Sequence, residues 1–120
     1  MKLLRNMSIE ELSLFMDGYT IKGRNQRKYN SSVEEGVCFF PYDNESCRRQ
    51  VNTWHWDIVA IIEIDDDLLT PQHGTYPNWD SPCWEDTVIL PEYSIKEYSL
   101  ENARLIGYYY REFPNQIFAR

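Results

Sequence analysis

Apolar residues in this chain fall in short runs separated by polar residues, glycine and proline. Runs of this length, rich in β-branched and aromatic residues, are typical of β-strands. The most continuous run, residues 57–65, has few polar residues and is therefore expected near the centre of a sheet. The last run, residues 103–110, ends in three tyrosines and is expected to be an edge strand. The predicted strands are residues 2–5, 19–21, 36–40, 57–65, 87–90 and 103–110.

Two segments predict helices. Ser8 followed by Glu11 has the pattern of a capping box, in which each side chain accepts a hydrogen bond from the other residue's amide. Apolar residues then recur at helical spacing and Gly18 supplies a left-handed stop, so a helix is expected from Ser8 to about Asp17. Residues 43–54 are mostly polar and predict a second helix, with Asp43 as its N-cap.

The apolar residues of segment 66–85 follow neither helical nor strand spacing. The segment contains three prolines, one glycine and two tryptophans. We expect a long ordered loop here, and loops of that length are often functional. The chain as a whole, residues 1–120, is therefore predicted to be a single α+β domain, with a small twisted, mainly antiparallel, split sheet and two helices.

Composition narrows the classes of function. The 120 residues suit one domain, and a formal net charge of -7 opposes bulk binding to nucleic acid or to anionic membranes. The three cysteines, Cys38, Cys47 and Cys83, show no CxxC spacing, and no apolar run approaches the length of a membrane span. We therefore expect free thiols, no membrane insertion and a cytoplasmic location.

Several short motifs occur in a suggestive order along nearly the whole chain. They are Arg5 on the first predicted strand, Ser31-Ser32 after the first helix, GVCFF at residues 36–40, and Glu85-Asp86 before the apolar residues 88–90. This order resembles that of the small ADP-ribosyltransferase-like domains. The resemblance implies an ADP-ribosyltransferase-like fold that binds NAD as a substrate and transfers ADP-ribose to a protein acceptor.

The resemblance also implies roles for individual residues. An arginine fork grips the NAD pyrophosphate, and a carboxylate stabilises the oxocarbenium-like charge that forms as nicotinamide departs. Aligned on residues 88–91, the family's catalytic glutamate falls on Thr87, so another carboxylate replaces it or the domain is inactive. The implied NAD-binding residues are Arg5, Ser31, Ser32, Phe39, Phe40 and Tyr42, and the implied catalytic carboxylates are Glu85, Asp86 and Glu92.

Each of these residues also has a structural interpretation. Arg5 is equally expected to pair with a carboxylate at a sheet edge, and the serines are ordinary loop residues. The acidic residues at 63–67 lack the spacing of a calcium-binding loop, so no metal site is expected. The basic residues between 22 and 28 are expected to form a solvated loop or the rim of a site for an anionic ligand.

The negative charge supports a second class of function. A small acidic protein with an aromatic-rich segment, residues 68–84, is suited to docking on a basic surface, with Tyr and Trp side chains as anchors. Such a protein would be an inhibitor or antagonist of phage or mobile-element type that blocks a nucleic-acid-binding host protein. A structural subunit without chemistry is a third hypothesis.

Overall fold

The structure, a computed structural model, describes residues 1–23 and 36–119. Within these residues the fold is α+β, with two helices and antiparallel strands in a large open sheet. The elements are β1 (Lys2–Met7), α1 (Ile9–Met16), β2 (Ile21–Lys22), β3 (Val37–Pro41), α2 (Glu45–Asn52), β4 (Ile58–Ile64), β5 (Thr70–Pro77), β6 (Thr87–Ile95), β7 (Glu97–Tyr98), β8 (Ala103–Tyr110) and β9 (Phe118–Ala119). The main sheet has the order β5-β6-β3-β1-β4-β8-β9, and β2 pairs with β7 separately.

The centre of the sheet is formed by β1 and β4. They pair along six positions, from Lys2 opposite Glu63 to Met7 opposite Ile58. Every residue of β4 except Glu63 is buried, which confirms the central position predicted from its continuous apolar run. β1 extends two residues beyond the predicted end at Arg5, because its pairing with β4 continues to Met7.

The first face of the sheet is covered by α1. Ser8 caps this helix by accepting a hydrogen bond from the amide of Glu11 at 3.1 Å, and Gly18 follows the helix with φ of 90°. Both signals were present in the sequence, and the predicted helix is confirmed. Leu12 and Phe15 pack into a core with alternate residues of the central strands, including Leu3.

The opposite face is covered by α2. Asn44 is the N-cap of this helix, since its side chain accepts from the amide of Cys47 at 3.0 Å. The prediction that Asp43 caps the helix is therefore wrong by one residue. Cys47 and Val51 pack against Leu4 and other residues of the second face. The sheet thus has a separate apolar core on each side.

The predicted loop at residues 66–85 is largely regular structure. A short 3-10 turn, Asp66–Leu68, leads into β5, which pairs with β6 along eight positions. The proline-based prediction is wrong here because β5 lies at the edge of the sheet, where a missing N–H costs no ladder hydrogen bond on the open side. β6 likewise continues through Pro91 to Ile95 instead of stopping at residue 90.

β8 is not an edge strand as predicted. β9 pairs with it at Gly107 and Tyr108, so β8 is second from that edge. Two of the tyrosines that suggested an edge strand contact β9: the ring of Phe118 stacks on Tyr108 and meets Tyr110 edge-on. In the part of the chain that the structure describes, no helix has the length and apolar character needed to cross a membrane.

Candidate functional site

Arg5, the proposed grip for NAD, lies on the first face of the central strand β1. Its Nε and Nη2 donate to the two carboxylate oxygens of Glu11, at 2.6 and 3.0 Å, and its Nη1 donates to the carbonyl oxygen of Cys38 at 3.0 Å. The two-bond geometry is that of a strong arginine–carboxylate pair. All three nitrogens of the guanidinium are therefore engaged by the protein itself.

The Arg5–Glu11 pair is enclosed by aromatic rings. Tyr98 donates from its hydroxyl to Glu11 at 2.8 Å, and the guanidinium lies over the ring of Phe39 at 5.7 Å. Burial lowers the pKa of Arg5, but the hydrogen bond and charge of Glu11 more than offset this, so its pKa lies above the ordinary value. The pair joins strand β1 to helix α1 in the middle of the sheet, not at an edge as the structural interpretation expected.

Glu11 also departs from the capping-box prediction. Ser8 supplies its half of the box, but the Glu11 carboxylate is taken up by Arg5 and Tyr98. The sequence pattern correctly paired Ser8 with the amide of Glu11. It could not show that a strand arginine and a tyrosine 87 positions away compete for the same carboxylate.

Glu92 is buried, with 6% of its surface exposed, on the opposite face of the sheet. It lies two residues from Leu90, which belongs to the core under α2, whereas Arg5 lies between Leu3 and Met7 of the core under α1. Since side chains two apart on a strand share a face, the sheet itself separates Glu92 from Arg5. These two candidate residues do not share a cleft.

The Glu92 carboxylate is held by neighbours on β5. Tyr76 donates its hydroxyl to Oε2, and Gln72 donates its amide to Oε1 at 3.2 Å. Burial and the hydrogen bond to Glu92 raise the pKa of Tyr76 far above its ordinary value, so this phenol stays protonated. No pattern in the sequence pointed to Tyr76 or Gln72, because the pairing of β5 with β6 was not predicted.

The two thiols near Glu92 are not activated. Burial and the charge of Glu92 raise the pKa of Cys38, and the same two causes raise that of Cys47 to about 11. A nucleophilic cysteine needs the opposite shift, toward the thiolate. The arrangement around Glu92 is therefore that of a buried polar cluster and not of a cysteine-based catalytic site.

The three aromatic residues proposed to stack on nicotinamide lie in three different environments. Phe39 is buried with Arg5 on the first face, and Phe40 packs against Trp54 and Tyr76 on the second. Tyr42 has two cations near its ring, the Lys2 ammonium 4.3 Å and the Arg48 guanidinium 5.8 Å from the ring centroid. They do not form one stacking surface.

Glu85 and Asp86 lie far along the β5–β6 hairpin, in the loop of residues 78–86, which we call the hairpin tip. The tip is closed by a hydrogen bond of 2.9 Å from the amide of Asn78 to the carbonyl of Asp86. A second bond, 3.1 Å from the amide of Asp86 to the carbonyl of Cys83, closes a β-turn with Trp84 and Glu85 as its two central residues. The side chain of Ser81 donates to the Asp86 carboxylate.

The tip is also tied to helix α2. Trp79 donates its indole N–H to the side-chain oxygen of buried Gln50 at 3.2 Å, and Arg49 donates to the carboxylate of Asp80. These contacts anchor one side of the tip, while Trp84 at the turn is 86% exposed. The hairpin tip is thus an ordered loop that presents a bare indole.

Ser31 and Ser32 lie outside the described residues, as does most of the basic segment at 22–28. Among the residues that are described, the structure brings Arg5 together with Phe39 only, and it places the three carboxylates elsewhere. The resemblance to ADP-ribosyltransferase-like domains stays a prediction. Isothermal titration of the chain with NAD tests it, and the absence of binding would exclude it.

Within residues 1–23 and 36–119, no three His, Cys, Asp or Glu side chains are grouped so that they could hold a metal ion. Comparison with protein-family models, curated proteins and solved structures gives no match. Among the described residues, the hairpin tip with its exposed Trp84 is the candidate functional site.

Proposed function

We propose that this chain is a protein-binding module that docks through its hairpin tip on a basic surface of a partner protein. The observation that carries the proposal is the 86% exposure of Trp84 at the corner of a hydrogen-bonded turn. Tryptophan is the residue type most enriched among interface anchors, and a large exposed indole on an ordered loop loses little conformational freedom on binding.

The negative charge of the hairpin tip indicates that the partner's surface is positively charged. Asp80, Glu85 and Asp86 all lie in this loop, on a chain whose formal net charge is -7. Negative charge around an apolar anchor steers a positively charged partner toward it and opposes an acidic one. An acidic antagonist of a nucleic-acid-binding protein, whose binding surface is basic, fits this chemistry.

The proposal is tested by retention of the chain on immobilised oligolysine. The wild type is expected to be retained at low salt and released as salt screens the attraction. Glu85→Gln is expected to elute at lower salt than Glu101→Gln, an exposed glutamate in another turn, although the two variants have the same net charge. Flow-through of the wild type at low salt, or retention that salt does not change, would sink the proposal.

A further inference from the structure

Trp84 and Glu85, the two central residues of the β-turn at the hairpin tip, have side chains that form no hydrogen bond or ion pair with the described residues, unlike the charged and aromatic residues on either side of them. The carboxylate of Asp86 is bound by Ser81, that of Asp80 is bound by Arg49, and the indole of Trp79 is bound by Gln50. By contrast, Trp84 is 86% exposed, and no described residue forms a hydrogen bond or ion pair with the exposed carboxylate of Glu85. An exposed indole and an exposed carboxylate therefore belong to adjacent residues of one turn.

From this arrangement we infer that the Trp84–Glu85 turn recognises an arginine side chain of the basic partner. The guanidinium is planar, so it stacks on the face of an indole, where the cation–π attraction is strongest. Its N–H groups donate in a fork that matches a carboxylate. The inference rests on the proposed docking function and names the side chain that the tip would select.

Lysine is a poorer match to the same pair. Its ammonium is compact and strongly hydrated, and it has no flat face to stack on an indole. A lysine would keep the attraction to Glu85 but lose most of the contact with Trp84. The turn is therefore expected to discriminate between two cations of equal charge, which attraction by net charge alone does not do.

The test compares labelled oligoarginine and oligolysine peptides of equal length, with binding followed by fluorescence anisotropy. The wild type is expected to bind oligoarginine about twofold to fivefold more tightly than oligolysine, the range given by an exposed cation–π contact. Trp84→Ala is expected to abolish this difference while leaving salt-dependent binding of both peptides. Glu85→Gln is expected to weaken binding of both.

Two matched controls locate the effect. Trp56→Ala removes another exposed tryptophan, 42% exposed and packed on His55, and is expected to preserve the arginine preference. Glu101→Gln, which has the same net charge as Glu85→Gln, is expected to weaken binding less. Circular dichroism spectra that match the wild type show that each variant is folded.

The outcomes separate this inference from the proposed function. Equal binding of the two peptides, unchanged by Trp84→Ala but sensitive to salt, would overturn arginine recognition and leave docking on a basic surface intact. Failure of both peptides to bind at low salt would overturn both. An arginine preference that persists in Trp84→Ala would place the recognition elsewhere on the chain and would also overturn the inference.

Discussion

Glu11 of the first helix and Arg5 of the central strand are joined by two hydrogen bonds, of 2.6 and 3.0 Å, across only six positions of sequence. The pair has 20–21% of each side chain exposed and is closed over by Tyr98. A charge pair in this setting links the helix to the sheet, because losing either partner leaves the other charge half-buried and unpaired.

We expect Arg5→Met and Glu11→Gln each to lower the free energy of unfolding by about 2–3 kcal/mol, the cost of a lost hydrogen bond to a charged group in a partly buried site. The double variant Arg5→Met/Glu11→Gln is expected to lose less than the sum of the two single losses, since neither charge is then left unpaired. Urea denaturation of the four proteins measures this. Strict additivity would show that the two side chains do not depend on each other.

The two tryptophans of the hairpin tip should differ in their effect on stability. Trp79→Phe is expected to cost about 1–3 kcal/mol, because it leaves the side-chain oxygen of Gln50 buried without its donor. Trp84→Ala is expected to change stability by less than about 0.5 kcal/mol, since the ring is 86% exposed. Thermal or urea denaturation checks both, and a large loss in Trp84→Ala would show that its ring is packed.

Gly74 is required by the cluster around Glu92. A Cβ at this position would lie 2.6 Å from the hydroxyl of Tyr76 and 2.8 Å from Oε1 of Glu92. Gly74→Ala is therefore expected to displace the Tyr76–Glu92 hydrogen bond and to lower stability by about 1–3 kcal/mol. Thr75→Ala, at the adjacent exposed position, is the control and should be nearly neutral. Equal stability of the two variants would contradict the close packing at Gly74.

Alkaline pH should destabilise the fold through its buried tyrosines. Burial raises the pKa of Tyr98, as the charge of Glu11 also does, and burial raises that of Tyr109 to about 12. Because the folded protein holds these protons more tightly than the unfolded chain, their contribution is complete below the ordinary tyrosine value of 10 and falls as pH rises above it.

The measurement is the free energy of unfolding in urea at a series of pH values from neutral to strongly alkaline. We expect a steady loss above the ordinary tyrosine pKa, and a shallower loss in Tyr98→Phe. Tyr110→Phe, which replaces a tyrosine that is 41% exposed, is the control and should keep the wild-type slope. A Tyr98→Phe protein with an unchanged slope would show that this phenol does not titrate with unfolding.

Local signals in the sequence determined the elements that depend on neighbours within a few positions. Ser8 and Gly18 mark the two ends of helix α1 because capping and left-handed backbone are local properties. The β-branched run of residues 58–64 forms an interior strand because only an interior position of the sheet buries both faces of a strand. The acidic character of the hairpin tip and its tryptophans are likewise visible in the sequence.

Tertiary structure decided which side chains meet. Alternation along β1 and β6 put Arg5 and Glu92 on opposite faces of the sheet, a result that depends on strand pairing and not on motif order. Pairing also turned the proline-containing segment at 70–77 into an edge strand, and the approach of Tyr98 and Arg5 diverted Glu11 from its capping role. Contacts between residues on different strands and helices, which no local pattern encodes, thus set the environments of Arg5, Phe40 and Glu92.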